Sequence, residues 1–245
     1  MIQVIIRAID ILDYVASFNK KPVQLIHIAA HAGLSQPTAA NIVKTLVEKN
    51  YLEQVSRKEG YCLGIAAYQL SRNNDYQNNL LTAAKEPMKE ITSLLNETSI
   101  LAVIKNYKRL ILHQVECNQV LKVTAIPEAN VYNAATSRLL MAYFDDKELD
   151  KLIKNVGLPS STIWPEATTK GGLENALKKI REAEFVQLVS IHHTVGFAVP
   201  VFKNGIVIAA LSIFVPQSRY TDAHKERISK LILTAAKKIS AQLDT

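Results

Sequence analysis

The stretch that most constrains this chain is LSQPTAANIVKTL, residues 34–46. Ser35 is a strong N-cap residue, because its hydroxyl can accept from a free amide of the turn it starts. Pro37 falls in the first turn, where its missing N–H costs nothing. Behind them Ala39, Ile42, Val43, Leu46 and Val47 recur at i, i+3, i+4, i+7 and i+8, the spacing of one buried helix face. The opposite side carries Gln36, Pro37, Ala40, Asn41, Lys44 and Glu48, small or hydrogen-bonding groups with little bulk near the N-terminal end. One side of this helix is committed to a core, and the other can approach another surface closely.

Two further amphipathic segments precede it, with apolar residues at Ile5, Ala8, Leu12 and Val15 and at Leu25, Ile28, Ala29 and Ala32. Gly33 supplies the turn between the second and third helices. After Asn50, YLEQVSRKEGYCLG reads as two short strands joined by Arg57-Lys58-Glu59-Gly60, with two cations at the tip. Helix, helix, turn, helix and basic hairpin is the order of a winged helix-turn-helix. In that layout the third helix enters the major groove and the wing touches phosphates or the minor groove. Residues 1–72 hold 8 Lys+Arg against 5 Asp+Glu, so the charge available to meet DNA is focused and not diffuse.

A chain of 245 residues exceeds one ordinary compact domain, and two modest domains are expected. The polar run SRNNDYQNN marks the boundary. Leu80, Leu81, Ala84, Met88, Ile91, Leu94 and Leu95 predict a long helix across Asp75–Glu97, which Pro87 should bend or interrupt. Beyond it SILAVIKNYKRLILHQVECN reads as a hairpin, VLKVTAI as a third strand, and AATSRLLMAYF, KELDKLIKNVG and GGLENALKKIREAEF as helices. VGFAVPVFKNGIVIAALSIFV gives a second hairpin turning at Lys203-Asn204-Gly205, and TDAHKERISKLILTAAKKISAQL is a closing helix. The fold class expected is α+β in two domains: a DNA-binding winged helix-turn-helix over 1–72, a linker helix over 73–97, and a second domain with an antiparallel sheet over 98–245.

A net charge of +7 favours acidic partners such as nucleic acid without requiring one. Asp10 and Asp13 interrupt the apolar N-terminal segment, against a signal peptide, and no apolar run reaches the ~18 residues of a membrane helix. Cys62 and Cys117 lie far apart in a Cys-poor chain, which suits a reducing cytoplasm. There is no Gly-rich phosphate loop, HExxH, GxSxG or CxxC, so no catalytic residue and no cofactor are assigned. His192 and His193, with His113, Glu116 and Cys117, invite a metal reading. Adjacent strand residues point to opposite faces, however, so no metal site is assigned either.

RAIDIL, IAAHAGLSQPTAANIVKTLVEKNYL and the wing ending YCLG resemble the DNA-binding half of the IclR family of bacterial transcription regulators. AATSRLLMAYF resembles that family's small-residue segment and helix, and VGFAVPVFKNGIVIAALSIF its closing hairpin, so the resemblance runs in order through nearly the whole chain. It implies a cytoplasmic regulator in which the 73–97 linker is also a dimerisation helix, the second domain is a GAF-like effector sensor for a small metabolite, and a homodimer, or dimer of dimers, binds double-stranded operator DNA. Ser35, Gln36, Pro37, Thr38, Asn41, Lys44, Arg57 and Lys58 then form the DNA-binding set. Where the family often has arginine, Asn41 stands instead, and it can pair with adenine N6/N7 in place of guanine O6/N7. Gln36 reads adenine in the same way, Thr38 touches phosphate or a thymine methyl, and Lys44, Arg57 and Lys58 suit phosphates.

The resemblance also implies a pocket lined by the backbone amides of Ala135, Thr136 and Ser137. On the closing hairpin Gly196 stands at the family's Cys position, Ser212 at its first Ser and Phe214 at its second, with Phe197 beside them. The loss of Cys, Ser and acidic groups points away from a very small 2-oxo acid, towards a larger or more apolar effector or a sugar-derived acid. Two other classes stay open: a GAF-like small-molecule enzyme, and an architectural DNA-binding protein whose second half only dimerises.

Overall fold

The computed structural model describes residues 2–18, 21–56, 58–72, 75–123, 125–190 and 193–244. The chain divides into two compact units, Met1–Asn78 and Asn79–Thr245.

The first unit contains α1 (Gln3–Ala16), α2 (Leu25–His31), α3 (Gln36–Glu48), the hairpin β1 (Leu52–Ser56) and β2 (Gly60–Leu63), and α4 (Ile65–Arg72). Its core is built at helical spacing: Ile11 and Val15 from α1, Ile28 from α2, Ile42, Val43 and Leu46 from α3, closed by Val23 and Leu52. Each such burial contributes about 1.5–3 kcal/mol, set against the entropy of ordering the chain. The turn into α3 needs Gly33 at φ +62°, and Ser35 caps the helix through the Thr38 amide. The wing is tied back to the body at Val23, whose N–H donates to the Tyr61 carbonyl at 2.8 Å while the Tyr61 N–H returns to the Val23 carbonyl at 2.9 Å. Gly60 lies at φ +106° against that strap, where a Cβ would stand 2.2 Å from the Val23 oxygen. Helix α4 takes up IAAYQL, to which the sequence assigned no element, and ends at the edge of the polar run SRNNDYQNN.

The second unit is built on one antiparallel sheet in the order β5-β4-β3-β8-β7-β6. Its strands are β3 (Thr98–Lys105), β4 (Lys108–Val115), β5 (Glu128–Asn130), β6 (Val186–Val189), β7 (Thr194–Lys203) and β8 (Ile206–Pro216). Helix α5 (Asp75–Leu95) runs on past Pro87 without interruption, and with α9 (Asp222–Leu243) it covers one face. The core there joins Leu80, Met88 and Ile91 to Phe197, Val199, Leu211 and Ile213, and to Ile228, Ile232 and Ile239. The other face is covered by α6 (Ala135–Met141), beside which α7 (Asp146–Val156) and α8 (Lys170–Ala183) build a core around Trp164, Leu152 and Leu173. Arg138 pins this layer: its Nε donates to the Tyr132 carbonyl at 2.9 Å and its Nη2 to the Ile163 carbonyl at 2.6 Å, with the guanidinium 4.1 Å over Trp164. Burial pushes the Arg138 guanidinium down to about 10, with Glu166 opposing, so it stays charged at neutral pH.

Two strand assignments differ from the sequence reading. VLKVTAI is not a strand over its described residues. The third strand is Glu128–Asn130, because the free edge of β4 pairs with that segment, Lys108 opposite Asn130 and Leu110 opposite Glu128. Val120 and Leu121 are left exposed, and the β propensity of the segment loses to the absence of a partner edge. Edge strand β6 was not anticipated, since VQLV is short and its alternation is weak. Among the described residues no helix is long and apolar enough to cross a membrane.

Candidate nucleic-acid interface and ligand site

Helix α3 divides as its periodicity requires. Ala39, Ile42, Val43 and Leu46 are buried, while Ser35, Gln36, Pro37, Thr38, Asn41 and Lys44 are all exposed. Pro37, Asn41, Lys44 and Glu48 follow one ridge at spacings of three and four residues. The Ser35 and Thr38 hydroxyls lie 2.8 Å apart, so both are spent partly on the cap. Lys44 sits 3.9 Å from Glu48 with both side chains mostly in solvent, a pair too weak to hold the ammonium back from a phosphate.

On the wing, Lys58 is exposed at the tip, and its carbonyl accepts from the Gln24 Nε2 at 2.8 Å. Ser56 and Glu59 brace the same turn through the Ser56 hydroxyl, which accepts from the Glu59 amide at 3.0 Å. Arg57 lies outside the described residues. The wing thus presents a cation on a backbone fixed at two points, Val23 and Gln24.

In the second unit, alternation along β7 and β8 sorts the expected pocket residues. Gly196, Ser212 and Phe214 face α6. A Cβ at Gly196 would meet the Phe214 ring at 3.4 Å and the Ala135 Cβ at 3.5 Å, so these three residues converge. Phe197 does not join them. One residue further on, it points to the α5 and α9 face, with the rings of Phe185 and Tyr220 each 6.0 Å away. The sheet separates it from the site, and the strand period of two alone indicates this.

Thr136 and Ser137 are buried in α6. The Ser137 hydroxyl donates to the Ala134 carbonyl at 3.1 Å and is used up within its own turn. The Thr136 Oγ1 and the Ser212 Oγ are sealed and lack a hydrogen-bond partner, as is the Tyr143 hydroxyl. Native folds seldom leave such atoms unmet, and each calls for a water, an ion or a ligand. Burial raises the Tyr143 phenol, with Glu184 adding to it against Arg181.

A residue the sequence reading passed over shares this face. Arg109 on β4 is only 3% exposed, and its Nε and Nη1 have no partner. Burial alone lowers its pKa. Alternation in KRLI could have found it, because Arg109 shares a strand face with Ile111.

Among the described residues, no group of three or more His, Cys, Asp or Glu side chains is placed to hold a metal. Of the His192-His193 pair, His192 lies outside the described residues. The His193 Nδ1 is 3.3 Å from the Gln217 Oε1, and its backbone is left-handed at φ +55°. The Thr98 hydroxyl accepts from the Cys117 amide at 3.3 Å and lies 3.6 Å from the Cys117 sulfur. Glu97, 2% exposed, takes both Nε (2.8 Å) and Nη2 (2.7 Å) of Arg219, whose Nη1 holds the Leu121 carbonyl.

Comparison with known proteins gives matches along nearly the whole chain. A family model described as the IclR helix-turn-helix domain matches residues 4–56, and one described as the bacterial transcriptional regulator IclR C-terminal matches residues 76–241. The HTH-type transcriptional regulator KdgR of Escherichia coli is 25% identical over 231 residues, spanning 92% of this chain and 87% of its own length. The transcriptional repressor IclR of Escherichia coli is 22% identical, spanning 98% and 89%. Among solved structures, an IclR homolog complexed with 4-hydroxybenzoate from Microbacterium hydrocarbonoxydans superposes with a TM-score of 0.75 at 21% identity, covering 98% of each chain. The Thermotoga maritima IclR gives a TM-score of 0.73 at 21% identity over all of both chains.

Proposed function

The chain belongs to the IclR family of bacterial transcription regulators, and from that premise we propose how its two units divide the work. Residues 1–72 bind operator DNA, 73–97 link and help to dimerise, and 98–245 bind a small-molecule effector. The observation that carries the reading is helix α3, whose Gln36, Asn41 and Lys44 are exposed opposite a fully apolar buried face. Asn41 reads adenine, Gln36 assists, Thr38 and Ser35 line the groove edge with Pro37, and Lys44, Arg57 and Lys58 hold phosphates. The protein acts in the cytoplasm, where its DNA is.

The effector sits on the α6 face of the sheet, near Ala135, Gly196, Ser212 and Phe214. The ring of Phe214 beside a side-chain-less Gly196 favours a larger or less polar molecule over a very small 2-oxo acid. The homolog complexed with 4-hydroxybenzoate supports a carboxylate of that size. Effector binding alters operator affinity by favouring one arrangement of the assembled protein, and linkage makes the effect reciprocal.

Fluorescence anisotropy on DNA from upstream of its own gene tests the regulator reading. Specific binding is expected, and with Lys44, Arg57 and Lys58 from each of two copies on phosphates the slope of log K against log salt should be about −5 to −6. Equal affinity for every sequence at every salt concentration would remove it.

A dimer is supported by α1 and its N-cap, where Ile2, at the cap, and Ile5, Ile6 and Ile9, in the helix, are 66, 53, 40 and 52% exposed on one side. We expect an Ile5→Asp/Ile9→Asp variant to shift towards monomer in light scattering and to lose operator affinity at least tenfold, since two half-sites then bind independently. An unchanged mass and affinity would place the dimer contact elsewhere.

A further inference from the structure

Among the described residues, every buried side-chain polar atom without a partner lies in one layer of the second unit. These are Arg109 Nε and Nη1, Thr136 Oγ1, Tyr143 OH and Ser212 Oγ. They come from strand β4, from helix α6 and the residues that end it, and from strand β8, all on the face of the sheet that α6 covers. Arg109 opposes Ile104 across the β3–β4 ladder, and Ile104 packs into both clusters around α6. Directly opposed residues share a face, so the guanidinium stands on the same side as Ser212 and Gly196.

Arg109 is the exceptional member of the set because it carries charge. A guanidinium stays protonated in proteins, so burial cannot relieve it by deprotonation as it would a lysine. The other four arginines of this unit are provided for. Arg219 grips Glu97 through Nε and Nη2, and Arg138 holds the carbonyls of Tyr132 and Ile163. Arg181 holds those of Ala142 and Phe144, and Arg227 that of Leu94. Neither a described hydrogen bond nor an ion pair serves Arg109. Its ladder partner on the other side, Ala129, brings no acid, and the neighbouring Glu128 is engaged by Lys108.

We propose that Arg109 is the seat of an oxyanion, the carboxylate of the molecule that the sensor unit reads. This rests on the effector-binding function proposed above and adds the position of the acid. A planar carboxylate matches the guanidinium fork that Arg219 already shows on Glu97 in the same unit. The acid is therefore held at the β4 side of the layer, not by the amides that open α6. Ile104, opposite Arg109, is four residues along β3 from Ile100, which pairs with Ser212. With strand spacings this separates the two Cα atoms by roughly 16 Å, so a two- or three-carbon acid on Arg109 leaves Ser212 untouched. The three unpartnered hydroxyls then serve the far part of a longer effector, or water.

Differential scanning fluorimetry of the full chain tests this with matched probes: benzoate against benzyl alcohol, gluconate against glucose, and inorganic phosphate as a second source of oxyanion. At least one carboxylate is expected to raise the sensor transition while its neutral counterpart does not. Arg109→Met should abolish that shift and Arg109→Lys should keep part of it. Without any ligand, Arg109→Met should melt a few degrees higher than the wild type, because an uncompensated buried charge is removed. A lower melting temperature for that ligand-free variant overturns the proposal, since the guanidinium would then be satisfied within the fold. So does a carboxylate response that survives Arg109→Met, or none with either acid. A response to phosphate alone moves the site to a phosphate group and overturns the carboxylate assignment. DNA anisotropy on the wild-type protein is read separately: loss of specific DNA binding with an intact Arg109-dependent shift would sink the regulator reading and spare this one.

Discussion

Replacing Gly60 by alanine is expected to abolish operator binding while the second unit still melts as in the wild type. At φ +106° the residue lies where L side chains are strained, and the added Cβ would stand 2.2 Å from the Val23 oxygen, 2.5 Å from its carbon and 2.8 Å from the Gln24 nitrogen. All three are backbone atoms and cannot rotate away. The wing must part from its strap and give up the paired Val23–Tyr61 bonds, with the Gln24–Lys58 contact beside them. Strain of ~1–3 kcal/mol and about 1 kcal/mol for each of the three lost hydrogen bonds sum to roughly 4–6 kcal/mol. That rivals the whole stability of a unit of this size, at about 0.05–0.15 kcal/mol per residue. Calorimetry should lose or lower one transition and keep the other, with the dissociation constant for operator DNA rising at least a hundredfold. Gly33→Ala is the control: it too has positive φ, at +62°, but nothing lies within 4 Å of the new Cβ, so only about 1 kcal/mol is at stake. Binding by Gly60→Ala within threefold of wild type would show that the wing yields without this cost.

Asn41→Ala should leave stability unchanged and remove discrimination at one operator position. The side chain is exposed, and beyond the helix ladder the hydrogen bond described for Asn41 is the one its carbonyl accepts from the Thr45 hydroxyl at 3.0 Å. A bidentate Asn–adenine pair contributes about 1–3 kcal/mol of discrimination, and two half-sites double that to roughly 2–6 kcal/mol, from thirtyfold to above ten-thousandfold. Anisotropy should show affinity for operator DNA falling towards the non-specific level, while non-specific binding and the salt slope hold, because the phosphate contacts remain. Asn41→Arg should in turn favour guanine where adenine stood. If operators carrying adenine or guanine at every candidate position bind the Ala variant as they bind the wild type, Asn41 is not the reader.

The first unit was legible because its signals are local. Ser35, Pro37 and the Ala39–Val47 stripe fix α3 within thirteen residues, and the Asn204-Gly205 turn, with φ of +50° and +75°, fixes the β7–β8 hairpin just as directly. Legibility failed where an element depends on a partner remote in sequence. β5 is three residues long and is a strand only because β4 offers it an edge; VLKVTAI has the better composition and no edge. In the layer under α6, Gly196 and Phe214 were singled out through a resemblance, and the strand period of two alone would have placed Phe197 on the opposite face. Arg109 was passed over because a cation within NYKRLIL reads as part of a solvated turn, and its burial is decided by Ile104 opposite and α6 above.

The order of strands carries a consequence for synthesis. β3 lies in the middle of the sheet, and one of its two neighbours is β8, with Leu101 opposite Leu211. The described core of the first unit draws only on residues before Asn79, so it can form while later residues are still being made. The β3–β4 hairpin emerges next and must wait, one edge unpaired, until β8 and then α9 arrive to fill its ladder and cover its face. A growing chain therefore owns a native DNA-binding unit before it owns a native sensor, and its interval of greatest exposure to wrong strand pairing lies between the two.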